Sequence, residues 1–170
     1  MGRPTSSREA ETESEVDQIA ASAATLREPP LSFDAADLAL TLLQREWSRL
    51  ALVAPESSPK TWGVATSLAR ACKQVGRTAM AINALQLDGA WASGIAHFIG
   101  RPAGPTTNRV SRFVLAVDSP VDNPLAMNLL SACDAVVVVL ELEKTELARA
   151  RNTIEFLGRD RLLGVVLIGR

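Results

Sequence analysis

Residues 50–63 read Leu50-Ala51-Leu52-Val53-Ala54-Pro55-Glu56-Ser57-Ser58-Pro59-Lys60-Thr61-Trp62-Gly63. A short apolar run broken by Pro, Ser and Lys is the pattern of a buried strand that ends in a loop. From Trp62 to Val75 the apolar period becomes that of a helix, with Val64, Leu68, Cys72 and Val75 on one stripe and Gly76 at the closing position. Strand, loop and long helix in this order set the expectation for everything downstream.

The alternation continues. Thr78–Asn83, Arg112–Val117, Ala135–Leu140 and Leu163–Ile168 read as strands. Between them, 85–100 reads as helical around Trp91 to Ile99, 101–108 as a loop, and Pro124–Ser131 and Thr145–Leu157 as helices, the last stopped by Gly158. Strands without polar alternation, separated by helices, predict an α/β fold: three layers, α-β-α, with a mainly parallel sheet covered on both faces. Ligands of such sheets sit at the carboxyl ends of the strands, so the loops 54–61, 83–90 and 118–124 share the rim where chemistry is expected.

Upstream, Asp34 is placed to cap a helix running to about Arg49, with Leu38, Leu40, Leu42, Leu43 and Trp47 as its apolar face. Residues 1–31 are different. They carry Glu9, Glu11, Glu13, Glu15 and Asp17 and close on Pro29-Pro30, a composition too polar to offset its ordering entropy. The expectation is a disordered acidic tail, with a transient helix over 14–27, ahead of one domain over 32–170.

The 170 residues, 47% of them apolar, suffice for one domain with a buried sheet. A formal charge of −1 gives no general attraction to a phosphate backbone, so nucleic acid is excluded as a general partner. Cys72 and Cys133 lack metal-ligand spacing and read as buried free thiols. No apolar run reaches the length of a membrane span and the N-terminus is acidic, so the expectation is a cytoplasmic protein without direct membrane insertion.

The loop and helix, followed by Val75-Gly76-Arg77 and a strand ending Ile82-Asn83-Ala84, resemble the start of the ParA/MinD-type P-loop ATPases. The nearest resemblance is to their capsular and exopolysaccharide tyrosine-kinase branch, in which a helix precedes the first strand and a Ser-Pro-Glu-Pro-Gly-Glu-Gly-Lys-Ser-Thr loop follows it. Ala54 to Gly63 lies over that loop without gaps. Phe113 to Pro120 is similar to the branch's strand and Asp-Thr-Pro-Pro motif, Ala132 to Val139 to its Ala-Asp-Gly-Val-Leu-Leu-Val-Val strand, and Leu163 to Ile168 to its final strand. The resemblance covers about 34–170 and implies a P-loop NTPase-like fold.

Where the chain departs from that pattern, the chemistry departs with it. A phosphate loop needs glycines so that backbone N–H groups converge, a lysine to neutralise charge, and a hydroxyl for Mg²⁺. By the resemblance, the glycine positions hold Ser58 and Lys60, the lysine position holds Thr61 and the hydroxyl position holds Trp62. Pro59 removes a further donor. The metal-associated aspartate is matched by Asn83, the next acidic position by Leu85, and the adenine-contacting Asn by Ile168; Asp118 alone keeps its carboxylate. The chain contains no tyrosine for autophosphorylation, and the first helix lacks the branch's arginine-bearing oligomer motif.

The vestigial cofactor-binding candidates are therefore Ser58, Lys60, Thr61, Asn83 and Asp118. No residue is assigned a catalytic role, and Asp118 is the one candidate for a metal. Lys60 is either a residual phosphate ligand or an exposed loop lysine, and Asp118 either a relic of Mg²⁺ chemistry or a turn residue. Trp62 either fills the space of the missing phosphates or anchors a partner. His97, without a second ligand nearby, reads as structural, and Trp47 and Trp91 read as core.

Two functions follow. The first is a non-catalytic pseudo-ATPase, or pseudokinase, without a cofactor, which binds the cytoplasmic part of a membrane polysaccharide co-polymerase or another polysaccharide-biosynthesis protein. The alternative is a deviant but active switch that holds ATP and Mg²⁺ and positions or partitions a cargo. A structural subunit of a homo-oligomer is a third reading.

Overall fold

Asp34 opens the first helix as expected. Its Oδ1 accepts from the N–H groups of Ala36 at 2.8 Å and Asp37 at 3.2 Å, and α1 runs over Ala35–Leu43. The computed structural model describes residues 34–100 and 112–169. The acidic tail and the 101–108 loop lie outside the described residues.

The helix does not reach Arg49. It stops at Leu43, and Trp47, expected on its face, turns back instead: its indole N–H donates to the Leu42 carbonyl at 2.9 Å, which also accepts from the Arg45 N–H at 3.1 Å. The ring is buried, with the Arg112 guanidinium 4.9 Å from its centroid and Arg112 Nε donating to the Trp47 carbonyl. Leu40, also expected on the buried face, is exposed.

The remaining elements are β1 (Arg49–Val53), α2 (Pro59–Gln74), β2 (Ala79–Ala84), α3 (Gly89–Gly100), β3 (Arg112–Val117), α4 (Ala126–Ala132), β4 (Ala135–Glu141), α5 (Leu147–Leu157) and β5 (Leu162–Ile168). The strands form one all-parallel sheet in the order β2-β3-β1-β4-β5. Helix α2 ends in a Schellman motif: Gly76 takes φ +76, the Arg77 N–H reaches the Cys72 carbonyl, and the Gly76 N–H reaches that of Lys73. Val75, at the cap, is exposed rather than part of the buried stripe.

Strand parity divides the core. Leu50, Leu52, Val114, Val137 and Val139 pack under α1 and α2. Ala51, Val53, Leu115, Val117 and Val136 pack against Ala92, Ile99, Leu129 and Leu130 of α3 and α4. Each buried Val or Leu contributes roughly 1.5–3 kcal/mol, and the two layers make a three-layer, P-loop NTPase-like α/β fold. Cover is incomplete at one edge: on β5, Val166 and Ile168 are buried but Val165 and Leu167 are exposed.

The order of the strands fixes the site. The chain leaves β1 toward β2 with α2 on one face, then returns through β3 to β4 and β5 on the other side of β1. The crevice of such a reversal lies at the carboxyl end of β1, beside its neighbours β3 and β4.

Candidate functional site

The first turn of α2 begins three residues earlier than the apolar period suggests, because Ser58 and Pro59 suit a helix start. Ser58 is the N-cap, its Oγ accepting from the Lys60 N–H at 3.3 Å, and Pro59 occupies the first helical position, where no N–H is needed. Thr61 N–H is tied to the Ser58 carbonyl at 3.1 Å. The N–H groups of Lys60 and Thr61 are thus taken up within the capped first turn of α2.

An anion is nevertheless present. Strand β4 continues past Val138, which pairs with Val53 at the end of β1, and parity puts Glu141 on the α2 face with Val137 and Val139. The Glu141 carboxylate accepts from the Ser58 hydroxyl, lies 3.1 Å from Lys60 Nζ through Oε2, and 3.5 Å from Lys144 Nζ through Oε1. Its backbone is held by Thr145, whose Oγ1 accepts from the Glu141 N–H and whose N–H donates to the Glu141 carbonyl. Burial pushes the Glu141 carboxyl upward. The hydrogen bonds from Ser58 and Lys60 and the charges of Lys144 and Lys60 outweigh it, and hold the group below the usual glutamate range. Glu141 is therefore ionised at neutral pH although only 6% exposed.

Behind the carboxylate lies a cavity of about 10 Å³, roughly the room of one water, lined in part by Ala54, Glu56, Ser58, Thr61 and Thr145. Thr61 is fully buried, and among the described residues its Oγ1 has no hydrogen-bond partner. Trp62 does not line this cavity; it is half-buried and packs against the core beneath α1 and α2. Lys60 is a helical residue with an ion-pair partner, not an exposed loop lysine. The cap hydroxyl and the nearer lysine are both engaged by Glu141.

Asp118 stands apart from this cluster, at the end of β3. It is 5% exposed, and both oxygens accept hydrogen bonds: Oδ1 from the Ser57 hydroxyl, Oδ2 from the Gln86 N–H at 2.6 Å and from Asn123 Nδ2. Gln86 sits at φ 57, a left-handed conformation costing a non-glycine residue roughly 1–2 kcal/mol, and Asp118 pins it. Asn83 makes a local turn, accepting from the Leu85 N–H at 3.2 Å. Asp118 thus joins three loops of the rim.

Two expectations change. Trp91 is not core but 67% exposed, in the first turn of α3, and His97 lies exposed on the same helix. Glu141, Lys144 and Thr145 were not singled out as site residues, although alternation along 135–141 marks Glu141 as a charged residue on an otherwise apolar, α2-facing row. No cluster of three or more His, Cys, Asp or Glu able to hold a metal occurs among the described residues. No described helix is long and apolar enough to cross a membrane.

The fold is that of an α/β, P-loop NTPase-like domain, and the start of the helix after β1 is tied to a carboxylate of its own chain. No protein-family model matches the chain, and a search of curated proteins finds no match.

Proposed function

We propose that the chain is a non-catalytic pseudo-ATPase, related to the polysaccharide-associated tyrosine kinases, that acts by binding another protein in bacterial exopolysaccharide synthesis or export. The observation that carries the non-catalytic half is the capture of Ser58 and Lys60 by Glu141, which leaves neither available to a phosphate. A phosphoryl-transfer site works by positioned cations and donors, and here these are neutralised internally.

The binding half is supported by what the same rim exposes. Trp91, Val121, Leu125, Leu142 and Leu147 all follow the carboxyl ends of strands and are 42–85% exposed. Large apolar side chains at such positions, Trp above all, are the usual anchors of protein contacts. The partner class, a cytoplasmic segment of a membrane polysaccharide co-polymerase or a glycosyltransferase, and the cytoplasmic location follow from the motif resemblance.

Co-purification of the full chain from its native cell tests this. Recovery of a membrane-anchored polysaccharide protein or a glycosyltransferase, reduced by Trp91→Ala or Leu147→Ala, is the expected result. Recovery of chromosome-segregation or division proteins alone would contradict it and favour a partitioning switch.

A further inference from the structure

We infer that the open edge of the sheet is a dimer interface, in which β5 pairs antiparallel with β5 of a second copy of this chain about a twofold axis at Val166.

Strand β5 is the outer strand of the order β2-β3-β1-β4-β5, and among the described residues it pairs with β4 alone. Its sequence, Leu162-Leu163-Gly164-Val165-Val166-Leu167-Ile168, contains no charge and no proline, two of the devices that keep an edge from pairing. The Ile168 carbonyl accepts from the Leu142 N–H, so by alternation the N–H and C=O groups of Val165 and Leu167 point away from β4. These same two residues expose their side chains. The opposite edge differs: on β2 only Asn83, a polar residue, is exposed.

The helix beside this edge is also short of cover. Helix α5 buries only Ala150 and Thr153, and one side of it opens on a cavity of about 620 Å³ lined in part by Leu140, Leu147, Ile154 and Gly158. Leu140 is the register partner of Leu167, so this side of α5 shares a face of the sheet with exposed Val165 and Leu167. A second β5, added antiparallel, brings its own α5 to the same face. Neighbouring strands lie about 4.8 Å apart and a crossover helix lies above the two strands it joins, which sets the two α5 helices roughly 10 Å apart, the spacing of packed helices.

Charge complementarity selects a second copy as the occupant. Arg151 and Glu155 both line the cavity, exposed and 2.9 Å apart, on either side of Thr153. A copy of α5 running in the opposite direction about Thr153 sets each Arg151 against Glu155 of the second copy. The same axis sets Val165 against Leu167 of the second copy, so apolar meets apolar and each cation meets an anion. The inference does not rest on the reading above, because these four residues lie outside the rim side chains named there.

Sedimentation velocity of the full chain from about 1 to about 100 μM tests it. The expected result is a monomer–dimer equilibrium, with Val165→Lys and Leu167→Lys each raising the dissociation constant at least about tenfold. Glu155→Arg should weaken the dimer likewise, and adding Arg151→Glu should restore it, a rescue that a folding defect would not give. A chain that stays monomeric across the range overturns the inference. Hydrogen exchange then names the alternative: β5 amides protected at every concentration mean that another segment of the chain covers the edge. A dimer unchanged by Val165→Lys and Leu167→Lys also overturns it, because a different surface then joins the copies.

Discussion

The hydroxyl of Ser58, which caps α2, donates to the carboxylate of Glu141 at the end of β4, across 83 positions of sequence. One side chain thereby serves two tasks. It starts helix α2, and it ties that start to the carboxylate at the end of β4.

Ser58→Ala removes both tasks. Loss of the cap costs about 1 kcal/mol, and loss of a donor to a buried carboxylate a further ~1–3 kcal/mol, measured by urea denaturation. Ser58→Asp gives the sharper contrast. Aspartate is as good a cap as serine, yet here it sets a second carboxylate against Glu141, so it should be less stable than Ser58→Ala. Equal stability of Ser58→Asp and the natural chain would mean that Glu141 is not at the cap.

Acid should weaken the fold through two carboxylates. Burial raises Glu141, but Ser58, Lys60 and Lys144 outweigh it; burial raises Asp134, but the Arg49 guanidinium and the N–H groups of Ser48 and Arg49 outweigh it. Both are thus depressed in the folded state. Their stabilisation is complete above the unfolded values, near pH 4, and is lost as pH falls through the lower folded ones. Unfolding free energies from pH 7 to pH 3 should decline at the acid end, with the gap between the natural chain and Glu141→Gln narrowing there. A gap that stays constant to pH 3 contradicts the depressed carboxyl.

What the sequence revealed, and what it hid, follows from range. The strands β1 to β5 were legible because buried parallel strands are continuous apolar runs, and Arg112–Val117 matches its expected bounds. The start of α2 was misplaced by the apolar period, although Ser58-Pro59 is a local start signal. The pairing of Glu141 with Ser58 and Lys60 depends on β4 lying beside β1 and outrunning it, a property of strand order rather than of either segment. Trp47 was correctly read as core but for a different reason: it caps the end of α1 from outside the helix.

The tryptophans should separate cleanly in stability. Trp47→Ala removes a buried ring, its hydrogen bond to Leu42 and its contact with Arg112, and should cost about 3–5 kcal/mol. Trp91→Ala, at an exposed position, should stay within about 0.5 kcal/mol of the natural chain in the same denaturation experiment. A large loss at Trp91 would mean that the ring supports the fold rather than facing a partner.

Calorimetric titration of the unaltered chain with ATP and Mg²⁺ tests the central claim most directly. With Glu141 holding Ser58 and Lys60, no saturable heat is expected at millimolar nucleotide. Micromolar binding that disappears in Lys60→Ala would contradict the account, because it would require the loop to release its own carboxylate and close on a triphosphate instead.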